Sequence, residues 1–278
     1  MHPKTITIHL PNGEPAGIKV AELSNRIIRA YVVPRELLHE IRETEELSKP
    51  ALYLLLSKDG EHAYIGESEN FLARMRTHDA DSSKDYWDLV IAFIAKDSSL
   101  EKGDVGYLES IAVVQAQEAG KTELHNRTVP SKNNLHQFKI STVEEFFEDV
   151  CLLSSALGFP IFDVLKDEEI RESEIWYCKT NKTDARGVFD GGGFAVLAGS
   201  VIDSHHSESL ERDFPGVVQD RNAILGSHGN LSDDVIHLTT NVNFKSPNQA
   251  GVFAAGRSVN AWTTWKNKEG RTMNELLR

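Results

Sequence analysis

The chain has 278 residues, 40% of them hydrophobic and 26% charged, a size and balance that suit two domains with real cores and exclude a disordered or fibrous chain. A net charge of −12 argues against broad phosphate-backbone binding and leaves an expectation of weak, salt-dependent affinity confined to a narrow groove or helped by a partner, and two cysteines, Cys151 and Cys178, are too few for a disulfide scaffold or a thiolate metal cluster. The opening MHPKTITIHLPNG lacks a basic segment followed by an apolar one, and no apolar run is long enough to span a bilayer, so a cytoplasmic chain without membrane contact is expected.

Residues 5–10, TITIHL, alternate as a strand does, and Pro11-Asn12-Gly13 supplies a turn. Ile18, Val20 and Tyr31-Val32-Val33 extend the β reading, and Pro34 can start a helix over ELLHEIRETEEL. ALYLLLSK and HAYIG are two apolar runs joined by Asp59-Gly60, which predicts a hairpin. A short helix follows over ESENFLARMRTH, then a buried strand LVIAFIA, then a longer helix from Asp104 that stops near Gly120. Thr142 and Glu145 form a capping-box pair that predicts a further helix ending at Gly158.

Acidic residues concentrate next: Glu144, Glu145, Glu148, Asp149, Asp163, Asp167, Glu168, Glu169, Glu172 and Glu174 mark a connector. From about Gly187 the chain mixes short strands, glycine turns and a helix near 247–257. The expected organisation is a β-rich extension over 1–47 lying against a first domain over 48–135, a helical acidic connector over 136–185, and a small α+β domain over 186–278.

The chemistry-bearing residues lie in the first domain. Tyr53 and Tyr64 sit on the two hairpin strands, so both phenols can reach one face. Arg74 and His78, four apart on the following helix, put a guanidinium and an imidazole one turn from each other. Glu109 has Val105, Gly106, Ala112 and Val113 as its helical neighbours, so its carboxylate lies on a core-facing stripe where a divalent cation would offset its charge. Hard oxygen ligands of this kind suit Mg²⁺ or Mn²⁺. Taken singly, each of these residues has an ordinary packing or surface explanation.

Taken together, Tyr53, the triplet Tyr64-Ile65-Gly66, Arg74, His78, Glu109 and Asn126 stand in the order and spacing of the GIY-YIG nuclease domain, which this chain resembles over roughly residues 48–130. The first triplet departs from the pattern, since Ala51-Leu52-Tyr53 keeps only the tyrosine, and Glu67 stands where some relatives place a lysine. The resemblance implies an α+β fold, a small mixed sheet with flanking helices, and single-metal hydrolysis of a phosphodiester. It implies that Glu109 holds Mg²⁺ or Mn²⁺, that Arg74 balances negative charge, and that Tyr64, more than Tyr53, helps deprotonate water. It further implies that His78 orients or relays, with Gly66, Asn70 and Asn126 in support.

The C-terminal stretch brings Arg257, Trp262, Trp265 and Lys266 together as candidate nucleic-acid contacts, although two tryptophans three apart also suit a core anchor. It looks like a domain of unknown function that often follows GIY-YIG modules in bacteria, and its SP...GRS.N.W..WK pattern resembles a restriction-associated module proposed to read DNA. The implied function is a DNA endonuclease in bacterial DNA defence or repair. The competing expectation is a catalytically inert nucleic-acid- or protein-binding module on the same fold.

Overall fold

The computed structural model describes residues 3–81, 85–165, 170–190 and 193–277 and divides into two compact units, residues 1–164 and 165–278. Three of the acidic connector residues, Asp167, Glu168 and Glu169, lie outside the described residues.

The first unit runs β1 (Ile6–His9), β2 (Lys19–Leu23), β3 (Ile28–Pro34), β4 (Ala51–Leu56), β5 (His62–Ser68), α1 (Phe71–Ala80), β6 (Leu89–Ala95), α2 (Lys102–Ala119), β7 (Glu123–Leu124) and α3 (Gln137–Ala156). Its strands form one sheet in the order β1-β2-β3-β6-β4-β5-β7, antiparallel except where β5 meets β7. β4 and β6 are central and covered on both faces, which is why they read as unbroken apolar runs rather than alternating ones. One face packs Leu52, Leu54, Ile65 and Phe93 against α2 and α3, and the other packs Tyr53, Leu55 and Trp87 against α1.

The expected extension over 1–47 is therefore part of the same sheet, joined to the hairpin through the full-length pairing of β3 with β6. In place of the helix after Pro34 there are two short 3-10 turns, Arg35–Ile41 and Glu45–Ser48. The apolar side chains there are too few and too irregularly spaced to hold a longer α-helix on the sheet. The hairpin turn uses a positive φ only at Gly60, +71°, within a loop longer than two residues.

α2 begins earlier than expected because Glu101 and Asp104 form the capping box, and it ends at Gly120 with φ +58°. α3 also begins earlier, at Gln137, so Thr142 is an interior residue whose hydroxyl donates to the Phe138 carbonyl rather than an N-cap. The helix is anchored within the first unit, its buried Asp149 bound by Arg26 at 2.6 Å and Lys139 reaching Asp104 at 2.9 Å. It belongs to this unit's core rather than to a separate connector.

The second unit contains β8 (Trp176–Lys179), β9 (Asp184–Asp190), β10 (Gly193–Val196), β11 (Val201–Asp203), α4 (Glu208–Asp213), α5 (Pro215–His228), β12 (Gly229–Ser232), β13 (Val235–Leu238), β14 (Val242–Phe244), α6 (Pro247–Ala255), α7 (Ala261–Thr264) and α8 (Met273–Leu277). Its sheet runs β12-β13-β11-β9-β10-β14 with β8 on β9, and Phe194, Phe253 and Trp265 form the centre of its core. Both units mix strands and helices, giving the expected α+β class. Among the described residues no helix is long and apolar enough to cross a membrane.

Candidate active site

β4 and β5 place Tyr53 opposite Gly66 and Leu55 opposite Tyr64, so the two phenols share a face of the hairpin with ring centroids 6.2 Å apart. That approach requires Gly66, because a Cβ there would collide with the Tyr53 hydroxyl and crowd the Tyr64 ring. α1 crosses the same face. Its N-cap is Asn70, whose side chain accepts the Ala73 N–H at 2.9 Å. From this anchored start, Arg74 and His78 both reach Tyr53.

Arg74 Nε donates to Tyr53 Oη at 3.2 Å, and the same hydroxyl is hydrogen-bonded to His78 Nε2 at 2.8 Å. His78 is 2% exposed, so its ring is enclosed beside the two phenols. Tyr53 is fully buried, and that burial, reinforced by nearby Tyr64 and Glu109 and opposed by Arg74, pushes its phenol far above the ordinary value. Tyr64 is only partly buried. The Arg74 guanidinium is held firmly charged, first by the Tyr53 hydroxyl and also by Tyr64.

Glu109 is half-buried on α2, flanked by the buried Val105, Ala112 and Val113, and makes no hydrogen bond or ion pair with the described residues. Burial first, and the Glu67 carboxylate second, push it up to about 7, against the pull of Arg74. Glu67, on β5, is itself raised by burial, and its Oε2 is buried without a hydrogen-bond partner. Two mutually repelling carboxylates, one with an orphaned oxygen, are a donor pair that fits a hard divalent cation. Among the described residues no group of three or more acidic, histidine or cysteine side chains could hold a metal, so further ligands would be water and substrate phosphate.

Asn126 acts on the backbone: its Oδ1 accepts the Ile65 N–H at 3.0 Å and its Nδ2 donates to the Ile65 carbonyl at 2.8 Å. It thereby fixes the strand carrying Tyr64 and Gly66. Glu67, in sequence only a departure from the family pattern, lies by strand alternation on the same side as Ile65, the face that α2 covers. Tyr86 was missed entirely. Its hydroxyl is buried without a hydrogen-bond partner beside Tyr64, and its ring stacks on His125 at 3.9 Å, but it precedes β6 in a loop with no periodic signal.

Of the candidate contacts in the second unit, Trp265 is corrected. It is 0% exposed and its indole N–H donates to the Pro247 carbonyl at 3.1 Å, because the core between β10 and α6 needs a large ring there. Trp262 is half-buried against the same core, while Arg257 and Lys266 are exposed.

Residues 49–102 match the GIY-YIG catalytic domain family, and residues 176–277 match Domain of unknown function (DUF4357). No curated protein and no solved structure matches the chain. The first match spans β4, β5, α1 and β6, and so includes Tyr53, Tyr64, Gly66, Arg74 and His78 but stops short of Glu109 and Asn126. The chain thus carries a GIY-YIG domain, the fold of nucleases that act on nucleic acid, and in its second unit a DUF4357 domain.

Proposed function

We propose that the first unit hydrolyses phosphodiester bonds in nucleic acid as a divalent-metal-dependent endonuclease, with DNA as its substrate and bacterial DNA defence or repair as its setting. The observation that carries this reading is the linked arrangement of Arg74, Tyr53 and His78 beside a half-buried Glu109 that feels the charge of Arg74 but makes no hydrogen bond or ion pair among the described residues. A purely structural carboxylate in that position would have an ion-pair partner. This favours cutting over an inert binding module.

Glu109 and Glu67 would hold Mg²⁺ or Mn²⁺. When bound, the ion supplies positive charge on the scissile phosphate and stabilises the leaving oxygen. Arg74, kept charged by the two phenols, sits where it offsets the negative charge that builds on the phosphate. Tyr64 is the phenol for water: it is partly exposed and neighbours Arg74, whereas Tyr53 is buried with its hydroxyl already bonded to both Arg74 and His78. Tyr53 and His78 are positioning residues that hold the guanidinium in place.

The test is incubation of the full chain and a Glu109→Ala variant with supercoiled plasmid, branched DNA and single-stranded RNA at low salt, with Mg²⁺, Mn²⁺ or EDTA. Cleavage that needs the metal and disappears in the variant is expected. Cleavage in EDTA, or equal cleavage by the variant, would overturn the assignment of the site; cleavage of RNA alone would overturn the choice of DNA.

A further inference from the structure

Two neighbouring pockets of the second unit, of about 770 and 450 Å³, share Lys179, Thr180, Ala255 and Arg257 and so form one groove. Its described lining carries the cations Lys179, Lys182, Arg257, Lys266 and Lys268, with Asp203 as its carboxylate, in a chain whose net charge is −12. Such a concentration of positive charge in an acidic protein marks a surface for a polyanion.

The groove is held open by backbone geometry. α6 stops at Gly256, with φ +61°, where a Cβ would collide with the His205 carbonyl, and the Gly256 carbonyl accepts the Ser207 N–H at 2.8 Å. Arg257 leaves the helix directly from this fixed point. On the other side the Lys266 backbone is bridged to Tyr177 of β8 in both directions, at 2.7 and 3.0 Å, which ties the α7 exit to the sheet and leaves the Lys266 side chain exposed.

Among the described residues, neither the Arg257 nor the Lys266 side chain makes a hydrogen bond or an ion pair. Lys179, Lys182 and Lys268 pair with Asp184, Asp234 and Glu172, all exposed on the surface. Exposed pairs of this kind contribute little to stability, so a phosphate can displace them.

We infer that this groove binds the sugar-phosphate backbone of a nucleic-acid strand. It does so without reading bases. Tyr177 is already engaged by Lys179, 5.5 Å from its ring centroid, Trp265 is buried, the His205 and His206 rings lie 3.4 and 3.6 Å from the carboxylates of Asp203 and Glu211, and most other polar side chains of the wall are hydroxyl, amide and cation, such as Thr180, Thr264 and Asn267. Side chains of this kind grip phosphate and carry no sequence information. The choice of nucleic acid among polyanions rests on the nuclease reading of the first unit.

The test uses the full chain with Glu109→Gln, in EDTA, and fluorescence anisotropy with labelled 20-mer single- and double-stranded DNA of scrambled sequence. Arg257→Glu with Lys266→Glu is expected to weaken binding at least tenfold at low salt and to reduce the salt slope by about two. The neutral pair Arg257→Gln with Lys266→Gln reproduces the slope change and keeps the test valid if charge reversal harms folding. Arg212→Glu, on α4 outside the groove, changes the net charge by the same two units as the neutral pair and is the control for it. Unchanged affinity, or a loss no larger than that from Arg212→Glu, would overturn the inference. Binding that depends on the groove in a chain that never cleaves would leave this inference standing and remove the nuclease reading alone.

Discussion

The raised carboxylate of Glu109 makes a stability prediction that needs no substrate. Glu109 rises from an ordinary 4.5 to about 7, so the folded chain holds this proton more tightly than the unfolded chain does. Below 4.5 the group is protonated in both states and costs nothing. Stability is then lost progressively as pH rises from 4.5 to 7, and above 7 the full penalty stands. At about 1.4 kcal/mol for each pH unit, discounted for solvent reaching the half-buried group, the penalty is roughly 1–2 kcal/mol. Glu109→Gln removes it. The variant should match the wild type near pH 4.5 and exceed it at pH 8 in EDTA by roughly 3–6 °C in calorimetric midpoint, for a unit of this size. Mg²⁺ should raise the midpoint of the wild type at pH 8 and leave the variant unmoved. Equal pH slopes for the two proteins, or a variant less stable at pH 8, would refute the picture of an uncompensated carboxylate.

Other perturbations separate the roles of the surrounding residues. Tyr64→Phe should reduce cleavage by about 10²–10⁴-fold, as loss of a group assisting proton transfer does, whereas Tyr53→Phe should cost about tenfold by loosening Arg74 and should leave the shape of the pH–rate profile unchanged. Equal losses for the two would mean that the phenols are not functionally distinct. Glu67→Gln should weaken Mn²⁺ binding, read by electron paramagnetic resonance of the free ion, by about tenfold. Tighter binding would show that Glu67 only repels Glu109. Arg26→Ala leaves the buried Asp149 with Lys4, at 3.7 Å, as its one cation among the described residues and should lower the stability of the first unit by roughly 2–3 kcal/mol in urea unfolding.

What could be read from the sequence follows from how local each signal is. β4, β5, α1, β6 and α2 appear where periodicity, Gly60 and Gly120 put them, because each is decided by residues within a few positions of one another. The grouping of Tyr53 with Tyr64 and of Arg74 with His78 follows from strand and helix spacing alone. The opposition of Glu67 and Glu109 does not, since it depends on α2 packing across β5, a long-range contact that no spacing encodes. Tyr86 was out of reach for the same reason. The capping box at Thr142 was misread because Ser, Thr and Glu also occur inside helices; the side chain that distinguishes the two cases bonds backward to Phe138. Two tryptophans with the same local chemistry, Trp262 and Trp265, were likewise indistinguishable until the core position of one was visible.

The seven-residue pairing of β3 with β6 has a practical consequence for anyone trimming this protein. The stretch that matches the nuclease family, residues 49–102, omits β1, β2 and β3 on one side and most of α2 and all of α3 on the other. A fragment cut to that match would expose the whole edge of β6, an apolar strand with every backbone donor and acceptor on one side unpaired. It would also uncover Leu54, Ile91 and Phe93 on the face left by the helices. Such an edge pairs with any extended chain it meets, so the fragment should form insoluble aggregates, while residues 1–164 should remain in solution.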